Sequence, residues 1–351
     1  MRVTLPRADL ARVLTAASKV VEGRNTIPIL SNILLTVKGG RFTVRATDLE
    51  AEISASIAVL DAIDGAVTVP AKLLGDIAKK ASGDVTLELV YGVLEVRSGK
   101  ARWSLETLPA DDFPSFLATG FDGEFEIDLA ALVGPVAFAM SNEEVRYYLN
   151  GAYLHVVDGR LVAVATDGHR LARHVGHEIA DGVVPAAGVI LPRKLVSMLP
   201  KGPAKVALSP TKVRIITDDA VIVSKLIDGT FPDYQRIIPQ NNENRVRVAR
   251  DIALAAIDRV TVVSTERTRA IRLDVAAGSI GFSVGGKARE DVDAALDGEP
   301  LTIGFNSQYL ADSLRVLSGN EAVIAMADGG APAVLTGESD NLLCVIMPMR
   351  I

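Results

Sequence analysis

The sequence predicts an α+β fold made of three similar domains, and the main observation behind this prediction is a repeat. Residues 9–14 (DLARVL) return as 128–133 (DLAALV) and, more loosely, as 251–256 (DIALAA). A Pro-x-Lys marker at 70–72 returns at 192–194. The intervals are all about 120 residues, which is too long for a solenoid unit and matches the commonest domain size, ~100–150 residues.

Two further markers keep the same order and spacing. Ala-Thr-Asp occurs at 46–48 and 165–167, and Phe-Pro occurs at 113–114 and 231–232. Segments of small or polar residues follow each Phe-Pro marker and are typical of linkers. We therefore expect domains at 1–118, 122–240 and 245–351.

Each repeat shows the same order of elements. A first helix is indicated by apolar residues at helical spacing, such as Leu10, Val13 and Leu14, and an aspartate at its start (Asp9, Asp128, Asp251) is expected to cap it. In the second repeat Pro135 should break or restart this helix. Short β-rich runs with turns follow, then a shorter helix after the Pro-x-Lys marker, then more hairpins. Two helices packed on antiparallel sheets, with six to eight strands, are expected for each domain.

Composition excludes several classes of protein. The 351 residues are 49% hydrophobic and carry a net charge of −6, which excludes a uniformly cationic protein that binds any polyanion. Cys344 is the only cysteine, so an internal disulfide framework and a cysteine-rich zinc site are excluded. No signal peptide is recognisable and no run of ~18 apolar residues occurs, which predicts a cytoplasmic protein with no membrane partner.

Basic residues are concentrated in two of the predicted short helices. Residues 71–82 contain three lysines against one acid, and residues 192–202 contain three basic residues and no acid. One such helix would be typical of a solvated surface, but the same bias in two repeats favours a shared surface that faces a polyanion. The third repeat, with Arg315 against Asp312, does not support this pattern.

Motifs for catalysis or cofactor binding are weak. Residues 281–288 (GFSVGGKA) lack the final hydroxyl of a P-loop, and a glycine-rich hairpin is the simpler interpretation. His155, His169, His174 and His177 cluster in the sequence without ligand spacing. We expect no metal and no cofactor, although a hydrolase that uses Asp167, His169 and His174 remains an alternative.

Two apolar segments are candidates for binding. Tyr147 and Tyr148 follow Arg146; either both are exposed for stacking, or one is buried and one exposed. Residues 345–351 (VIMPMRI) are apolar to the end, so this tail must pack on its own domain or line a groove, where methionines suit varied apolar ligands.

Four longer motifs carry a family resemblance: 146–151 (RYYLNG), 165–172 (ATDGHRLA), 228–234 (DGTFPDY) and 347–350 (MPMR). With these motifs in this order, the chain resembles the bacterial DNA sliding clamps, the beta subunits of DNA polymerase III, over essentially its whole length. The resemblance implies three DNA-clamp domains per chain and a head-to-tail homodimeric ring around double-stranded DNA. It also implies a non-catalytic processivity factor of the DNA polymerase holoenzyme, loaded by an ATP-dependent clamp loader.

The resemblance also implies the site residues. Polymerase subunits and the clamp loader would dock by short linear motifs in a groove between the second and third domains, formed by Leu149, Thr166, Gly168, His169, Arg170, Leu171, Pro232, Arg236, Ile237, Val345, Ile346, Met347, Pro348, Met349 and Arg350. The dimer would close through Trp103 and Leu105 against Val262 and Val263 of the partner subunit, although core packing would equally explain the two valines. Arg24, Tyr147 and Tyr148 are DNA candidates by resemblance, and Lys72, Lys79, Lys80, Arg193, Lys194 and Lys201 are DNA candidates by charge. A peptide-binding scaffold that never encircles DNA is the second alternative.

Overall fold

The computed structural model describes residues 1–23, 26–114, 120–121, 123–180, 183–264, 269–339 and 341–351. Within these ranges no helix has both the length and the apolar character needed to cross a bilayer. The chain divides into two compact units, of which one contains Met1–Leu129 with Ser197–Leu226 and the other Ala130–Val196 with Ile227–Ile351. The second sequence repeat is therefore shared between the two units.

The first repeat contains, in chain order, β1 (Arg2–Leu5), α1 (Arg7–Ser18), β2 (Asn32–Lys38), β3 (Arg41–Thr47), β4 (Ala51–Ala58), β5 (Gly65–Pro70), α2 (Ala71–Lys80), β6 (Val85–Val90), β7 (Val93–Ser98) and β8 (Ala101–Glu106).

The second repeat contains β9 (Glu124–Ile127), α3 (Leu129–Val133), β10 (Gly151–Val157), β11 (Arg160–Thr166), β12 (Arg170–Glu178), β13 (Val189–Pro192), α4 (Arg193–Met198), β14 (Ala204–Leu208), β15 (Lys212–Ile216) and β16 (Ala220–Lys225).

The third repeat contains β17 (Asn244–Ala249), α5 (Arg250–Thr261), β18 (Ala270–Ala276), β19 (Ser279–Val284), β20 (Ala288–Asp297), β21 (Leu301–Asn306), α6 (Ser307–Val316), β22 (Glu321–Met326), β23 (Ala333–Thr336) and β24 (Leu342–Ile346). The described part of each repeat thus has two α-helices and eight strands, as the sequence predicts.

The strands form antiparallel sheets that continue from one repeat into the next. In the first unit, a four-stranded sheet has the order β1-β6-β7-β8 and an eight-stranded sheet the order β5-β2-β3-β4-β16-β15-β14-β9. In the second unit, one sheet has the order β13-β10-β11-β12-β24-β23-β22-β17-β20-β19-β18-β21. Two equivalent junctions result: β4 pairs with β16, and β12 pairs with β24.

The helices pack one face on the sheets, as their apolar spacing predicts. Leu10, Val13, Leu14 and Ala17 of α1 are buried, and α1 packs against α2. The predicted capping by Asp9 and Asp251 is wrong, since α1 begins at Arg7 and α5 at Arg250, which leaves both carboxylates in the first turn. There they still favour the positive end of the helix dipole.

Two local predictions from the sequence are confirmed. α3 ends at Val133, and a 3-10 helix, Gly134–Ala139, continues through Pro135, because proline cannot donate an α-helical hydrogen bond. The glycine-rich segment 281–288 is the β19–β20 hairpin, where Gly285 and Gly286 have φ of 54° and 68°. This is a strand-to-strand turn, not the strand-to-helix turn of a phosphate loop.

Candidate functional site

A buried apolar floor lies on the face of the second unit's sheet where β12 joins β24. We call this cluster the groove floor. It consists of Leu149, Val162, Val164, Leu171, Ile190, Phe231, Tyr234, Leu343 and Val345. Tyr148, Ile238 and Val334 are partly buried against it. Three residues of the sequence-predicted groove (Leu149, Leu171 and Val345) therefore come together here.

Strand alternation separates two predicted groove residues from this floor. Leu171 faces Val345 across the β12–β24 pair, and the next pair along is Arg170 with Ile346. Because neighbouring side chains on a strand point to opposite faces, Arg170 and Ile346 belong to the other side of the sheet. Ile346 is completely buried there. Both side chains are thus directed away from the groove floor.

Arg170 instead organises the opposite face. Its guanidinium donates to Asp167 Oδ2 at 3.1 Å, to Asp312 Oδ2 at 2.8 Å and to the Phe138 carbonyl at 2.7 Å. The group also lies over the rings of Phe138 and Tyr309. With its donors satisfied inside the protein, Arg170 fixes the turn that precedes β12.

That turn, residues 166–170, borders the groove floor. Asp167 Oδ1 accepts the N–H groups of His169 and Arg170, and Thr166 Oγ1 accepts the N–H of Gly168. Gly168 has φ of 87°, and a Cβ there would lie 2.6 Å from Arg146 Nη1. Arg146, which the sequence reasoning did not nominate, therefore lies directly over the turn. Its place inside the motif at 146–151 was the available signal.

The carboxyl-terminal tail continues from β24 and is held by backbone hydrogen bonds. Met347 N–H donates to the His169 carbonyl at 2.9 Å, and Met349 N–H donates to the Gly304 carbonyl at 2.8 Å. The side chains of Met347 and Met349 are 39% and 40% exposed. Two flexible apolar side chains thus lie just beyond Val345 and the buried Ile346, with Pro348 between them and the exposed Arg350 after them.

The segment that follows β16 supplies the other predicted wall. Phe231 and Tyr234 insert into the floor, and Ile237, between Tyr234 and the floor-packed Ile238, is 43% exposed. Pro232 is partly buried. Arg236 is exposed and its guanidinium pairs with Asp233 at 2.7 Å. The wall therefore presents the apolar Ile237 and the Arg236–Asp233 ion pair to solvent.

An aromatic stack with a neutral histidine lies under this wall. Tyr153 stacks on Phe231 and on His155, with ring centroids 4.8 and 4.5 Å apart. Burial lowers the pKa of His155. As a neutral ring, His155 can donate from Nδ1 to the Val162 carbonyl at 3.3 Å and accept the Tyr234 hydroxyl at Nε2, at 3.0 Å. This histidine is structural and is unsuited to binding a metal.

The two adjacent tyrosines occupy a 3-10 turn, Tyr147–Leu149. Tyr147 is exposed, whereas Tyr148 is half-buried against the groove floor, so one tyrosine is packed and one is free. Glu143, which precedes this turn, is held by two hydrogen bonds from Arg146, and this pairing lowers the pKa of the Glu143 carboxyl. Its charge therefore faces the arginine of its own loop.

The DNA candidates on α2 form an exposed stripe. Lys72, Asp76 and Lys79 follow one another at helical spacing on the face away from the buried Leu74 and Ile77, and they line a cleft beside α1. Lys79 Nζ lies 3.6 Å from Asp76, a solvated pair of little strength. Lys80 is exposed to the side of this stripe.

The DNA candidates in and after α4 are not all exposed to solvent. Arg193 donates to the carbonyls of Met140 and Ser141, at 2.7 and 3.1 Å, and burial lowers its pKa. The guanidinium thus holds a loop, which disfavours the predicted contact of Arg193 with DNA. Lys194 is half-buried, Lys201 is exposed, and Arg24 lies outside the described residues.

The predicted dimer residues lie in two places, on β8 and at the end of α5. Leu105 is buried inside its own sheet and Trp103 is half-buried on β8, which is the last strand of the four-stranded sheet. Val262 and Val263, at the end of α5, are 80% and 40% exposed. Core packing therefore does not explain the two valines.

The described residues contain no group of three or more His, Cys, Asp or Glu side chains arranged to hold a metal ion. Asp167 serves the turn before β12, and His174 Nδ1 lies 2.9 Å from the Leu132 carbonyl. Cys344 is buried, which raises its pKa to about 12. Asp167 and His174 of the hydrolase alternative are thus taken up by local structure, and the His169 ring stacks on Tyr309.

Comparison with known proteins gives matches along the whole chain. Models of the amino-terminal, central and carboxyl-terminal domains of the DNA polymerase III beta subunit match residues 1–117, 126–233 and 235–350. Beta sliding clamps of Caulobacter vibrioides and Escherichia coli K12 are 39% and 34% identical, with all of each chain covered. A solved Bartonella birtlesii sliding clamp bound to griselimycin has 39% identity, full coverage and a TM-score of 0.94.

Three repeated α+β domains joined by continuous antiparallel sheets place the molecule in the class of DNA clamps. Within that class, the chain belongs to the DNA polymerase III beta subunits, the beta sliding clamps. The members of this family are processivity factors for DNA polymerase.

Proposed function

We propose that two copies of this chain form a closed ring around duplex DNA, which slides and tethers polymerases through the groove. The observation that carries this proposal is the repeated strand junction. β4 pairs with β16, and β12 pairs with β24, so two of three equivalent junctions form within the chain. The third junction needs β20 and β8, and a second copy can supply it.

Both of these strands have an available edge. Among the described strands, β8 pairs with β7 alone, and residues 288–293 of β20 pair with β19 alone. An unpaired strand edge exposes backbone donors and acceptors that favour pairing with another chain. When β8 of each copy pairs with β20 of the other, both edges are closed by one two-fold operation.

The repeat also predicts the register of this pairing. Equivalent positions in the three repeats are occupied by Ala46, Ala165 and Val284. Across their hairpins, these residues face Ile53, Ala172 and Ala288, respectively. In the two junctions within the chain, Ile53 pairs with Ile222 and Ala172 with Cys344. Trp103 is the β8 counterpart of Ile222 and Cys344, because each is the third residue of the last strand in its own three-stranded meander. We therefore expect Trp103 opposite the partner's Ala288.

Charge supports the same contact. β8 carries Arg102, with Lys100 just before it, against Glu106, whereas the free part of β20 carries Glu290, Asp291 and Asp293 against Arg289. Opposite charges on the two strands favour this pairing over a pairing of like edges. The exposed Val262 and Val263 at the end of α5 supply an apolar patch, which we assign to the same interface.

For DNA we propose contacts by exposed basic side chains, with Lys72, Lys79, Lys80 and Lys201 as the principal ones. Secondary candidates for DNA contacts are Lys194, Arg24 and Tyr147. Tyr148 is assigned to the groove instead, because it packs on the groove floor. Phosphate contacts carry no base information, which suits a ring that slides. Their small number keeps the affinity weak and dependent on salt.

For partner proteins we propose that a short linear motif lies over the groove floor. Apolar anchors would contact Met347, Met349, Pro348 and Ile237 above Leu149, Leu171 and Val345, while His169, Arg236 and Arg350 offer polar contacts at the border. Thr166, Gly168 and Arg170 shape the turn without meeting the ligand. Pockets with an apolar floor and a few polar groups at the rim are suited to this kind of peptide recognition.

On this proposal the protein is a non-catalytic accessory subunit, loaded onto DNA by a clamp loader that hydrolyses ATP. It works in the cytoplasm, where the bacterial chromosome lies, with domain limits at 1–118, 122–240 and 245–351. Processivity then arises because tethering raises the effective concentration of the polymerase at the primer end.

The groove is tested by the double substitution Met347→Asp and Met349→Asp. We further propose that griselimycin, which the solved Bartonella birtlesii clamp binds, occupies this groove in the present chain. Losing two apolar contacts, and placing two charges beside the floor, should then weaken griselimycin and polymerase binding about 100-fold. The control Leu60→Asp, at an 88% exposed site on the first unit, should leave binding unchanged. Titration calorimetry with griselimycin measures the effect, and light scattering shows whether the dimer persists.

If both variants bind griselimycin and polymerase as the wild type does, the groove is misplaced. Loss of the dimer in the methionine variant would place the tail in the subunit interface instead. Turnover of a phosphoester or peptide substrate that depends on His169 would favour the hydrolase alternative.

A further inference from the structure

A second cleft lies on the same sheet face as the groove floor, over β17, β22 and β23. It has a volume of about 350 Å³ and an apolar base formed by Val323, Ala325 and Val334. The segment that follows Ile238 forms one wall. The buried Asn242 fixes this wall, because its side-chain amide donates to the carbonyls of Ala325 and Pro332, both at 2.9 Å. The cleft is therefore a built feature rather than a gap beside a loose loop.

Two arginines line this cleft. Arg245 and Arg247 alternate along β17 with the buried Val246 and Val248, so both guanidinium groups point away from α5 and into solvent. Neither forms a hydrogen bond or an ion pair with the described residues. Asp297 lies across from Arg245 on β20 without pairing to it. Two free guanidinium groups beside an apolar base are suited to a ligand that carries carboxylates.

The cleft continues into the groove floor along one row of the sheet. Arg245 faces Ala325, Ala325 faces Val334, and Val334 faces Val345, which in turn faces Leu171. Val334 also packs against the floor from the side of the cleft. A peptide that leaves the groove in this direction thus meets the two arginines without leaving the sheet face.

We infer that this cleft is an extension of the peptide groove that selects partners with an acidic stretch beside their apolar anchors. The inference rests on the proposed function of the groove and adds a charge requirement to it. Each guanidinium can pair with one glutamate or aspartate, while the methylene groups of that side chain contact Val323 and Val334. Partners with a neutral stretch at the same place would bind by their anchors alone.

Sheet geometry gives the distance between anchors and acids. β17 and β24 are three strand spacings apart, or roughly 14 Å at ~4.8 Å per spacing. An extended peptide covers ~3.3 Å per residue. The acidic residues should therefore lie about four residues from the anchor that is seated over Val345.

The test uses peptides that are shown first to occupy the groove. An apolar peptide is selected from a display library for binding to the full-length clamp and for displacement by griselimycin. It is then extended, at either end and through a four-residue glycine-serine spacer, with four glutamates or with four glutamines. Fluorescence anisotropy at low salt compares these forms on the wild type, on Arg245→Gln/Arg247→Gln, and on the control Arg41→Gln. Arg41 is likewise exposed on a strand and free of ion pairs within the described chain.

We expect the glutamate form of one orientation to bind about fivefold tighter than its glutamine form, as two solvent-exposed charge pairs allow. The double glutamine variant should lose this preference and keep its affinity for griselimycin, while Arg41→Gln keeps both. Equal affinities of glutamate and glutamine forms on the wild type, or a preference that survives in the double variant, would overturn the inference and leave the groove intact. If none of the library peptides that bind the clamp is displaced by griselimycin, the groove proposal itself fails, and the inference fails with it.

Discussion

Side-chain direction decides the role of individual residues around the groove. Arg170 and Leu171 are neighbours in one motif, yet Leu171 lies in the floor, whereas Arg170 binds Asp167 and Asp312 on the other face. Arg193 similarly stands in a basic segment but donates to two backbone carbonyls. A motif therefore identifies the region of a site, and strand alternation decides which of its residues meet the ligand.

At this scale, His155 should make stability depend on pH. Its pKa is lowered in the folded protein because the ring is buried. Above its ordinary pKa of ~6.5 the ring is neutral in both states, and below that value the unfolded chain takes up a proton that the folded chain does not. The free energy of unfolding should therefore fall as the pH drops below ~6.5.

Urea unfolding at pH 7.5, 6.5 and 5.5 measures this fall for the wild type and for His155→Gln, which keeps hydrogen-bonding capacity without titrating. We expect a smaller fall in His155→Gln. The control His177→Gln, at an exposed position, should behave as the wild type. Equal pH dependence in all three proteins would mean that His155 does not contribute.

The sequence could indicate the groove motifs but not how their side chains are used. The partners of Arg170 come from the turn before β12, from the 3-10 helix after α3 and from α6, and Asp312 is 142 residues away in the chain. The cleft beside Arg245 and Arg247 was also missed. The alternation Arg-Val-Arg-Val at 245–248 was a usable signal, because on a strand it places both arginines on one face.

At the scale of elements, the repeat predicted the number of helices and strands well, because period and turn chemistry are local signals. The first residues of the helices were less well predicted from the sequence. α1 and α5 begin before their aspartates, whereas α6 is capped by Asn306, whose side chain accepts the N–H groups of Gln308 and Tyr309. Sheet continuity between repeats depends on pairings such as Ser54 with Val221, which no local pattern contains.

Val262 and Val263, at the end of α5, are assigned to the interface that the edges of β8 and β20 would form. The dimer should therefore be sensitive to charge at these two positions. In Val262→Asp/Val263→Asp, two carboxylates would be buried without partners against the other subunit, at a cost of several kcal/mol. We expect a monomer of 37.1 kDa in place of a dimer of twice that mass. Sedimentation at micromolar concentration measures the mass.

Leu60→Asp is the matched control, since Leu60 is an exposed apolar residue that belongs to neither β8 nor β20. This variant should remain dimeric. A wild-type chain that is monomeric at micromolar concentration, or a valine variant that stays dimeric, would contradict the proposed edge contact.

At the scale of the whole molecule, net charge acquires a structural meaning. The protein carries −6 and still has exposed lysines on α2 at helical spacing. A ring holds DNA by topology, so it needs few phosphate contacts, and each additional contact would slow its sliding. An acidic protein with a local basic surface is compatible with this role.

The central claim is enclosure, and retention on circular DNA tests it most directly. The wild type is loaded onto nicked circular DNA with a clamp loader and ATP, the DNA is then linearised, and gel filtration follows the protein. We predict retention on the circle and release from the linear form, and no retention of Val262→Asp/Val263→Asp on either. Equal retention of the wild type on circular and linear DNA would contradict the account, because a protein held by contacts alone does not need a closed template.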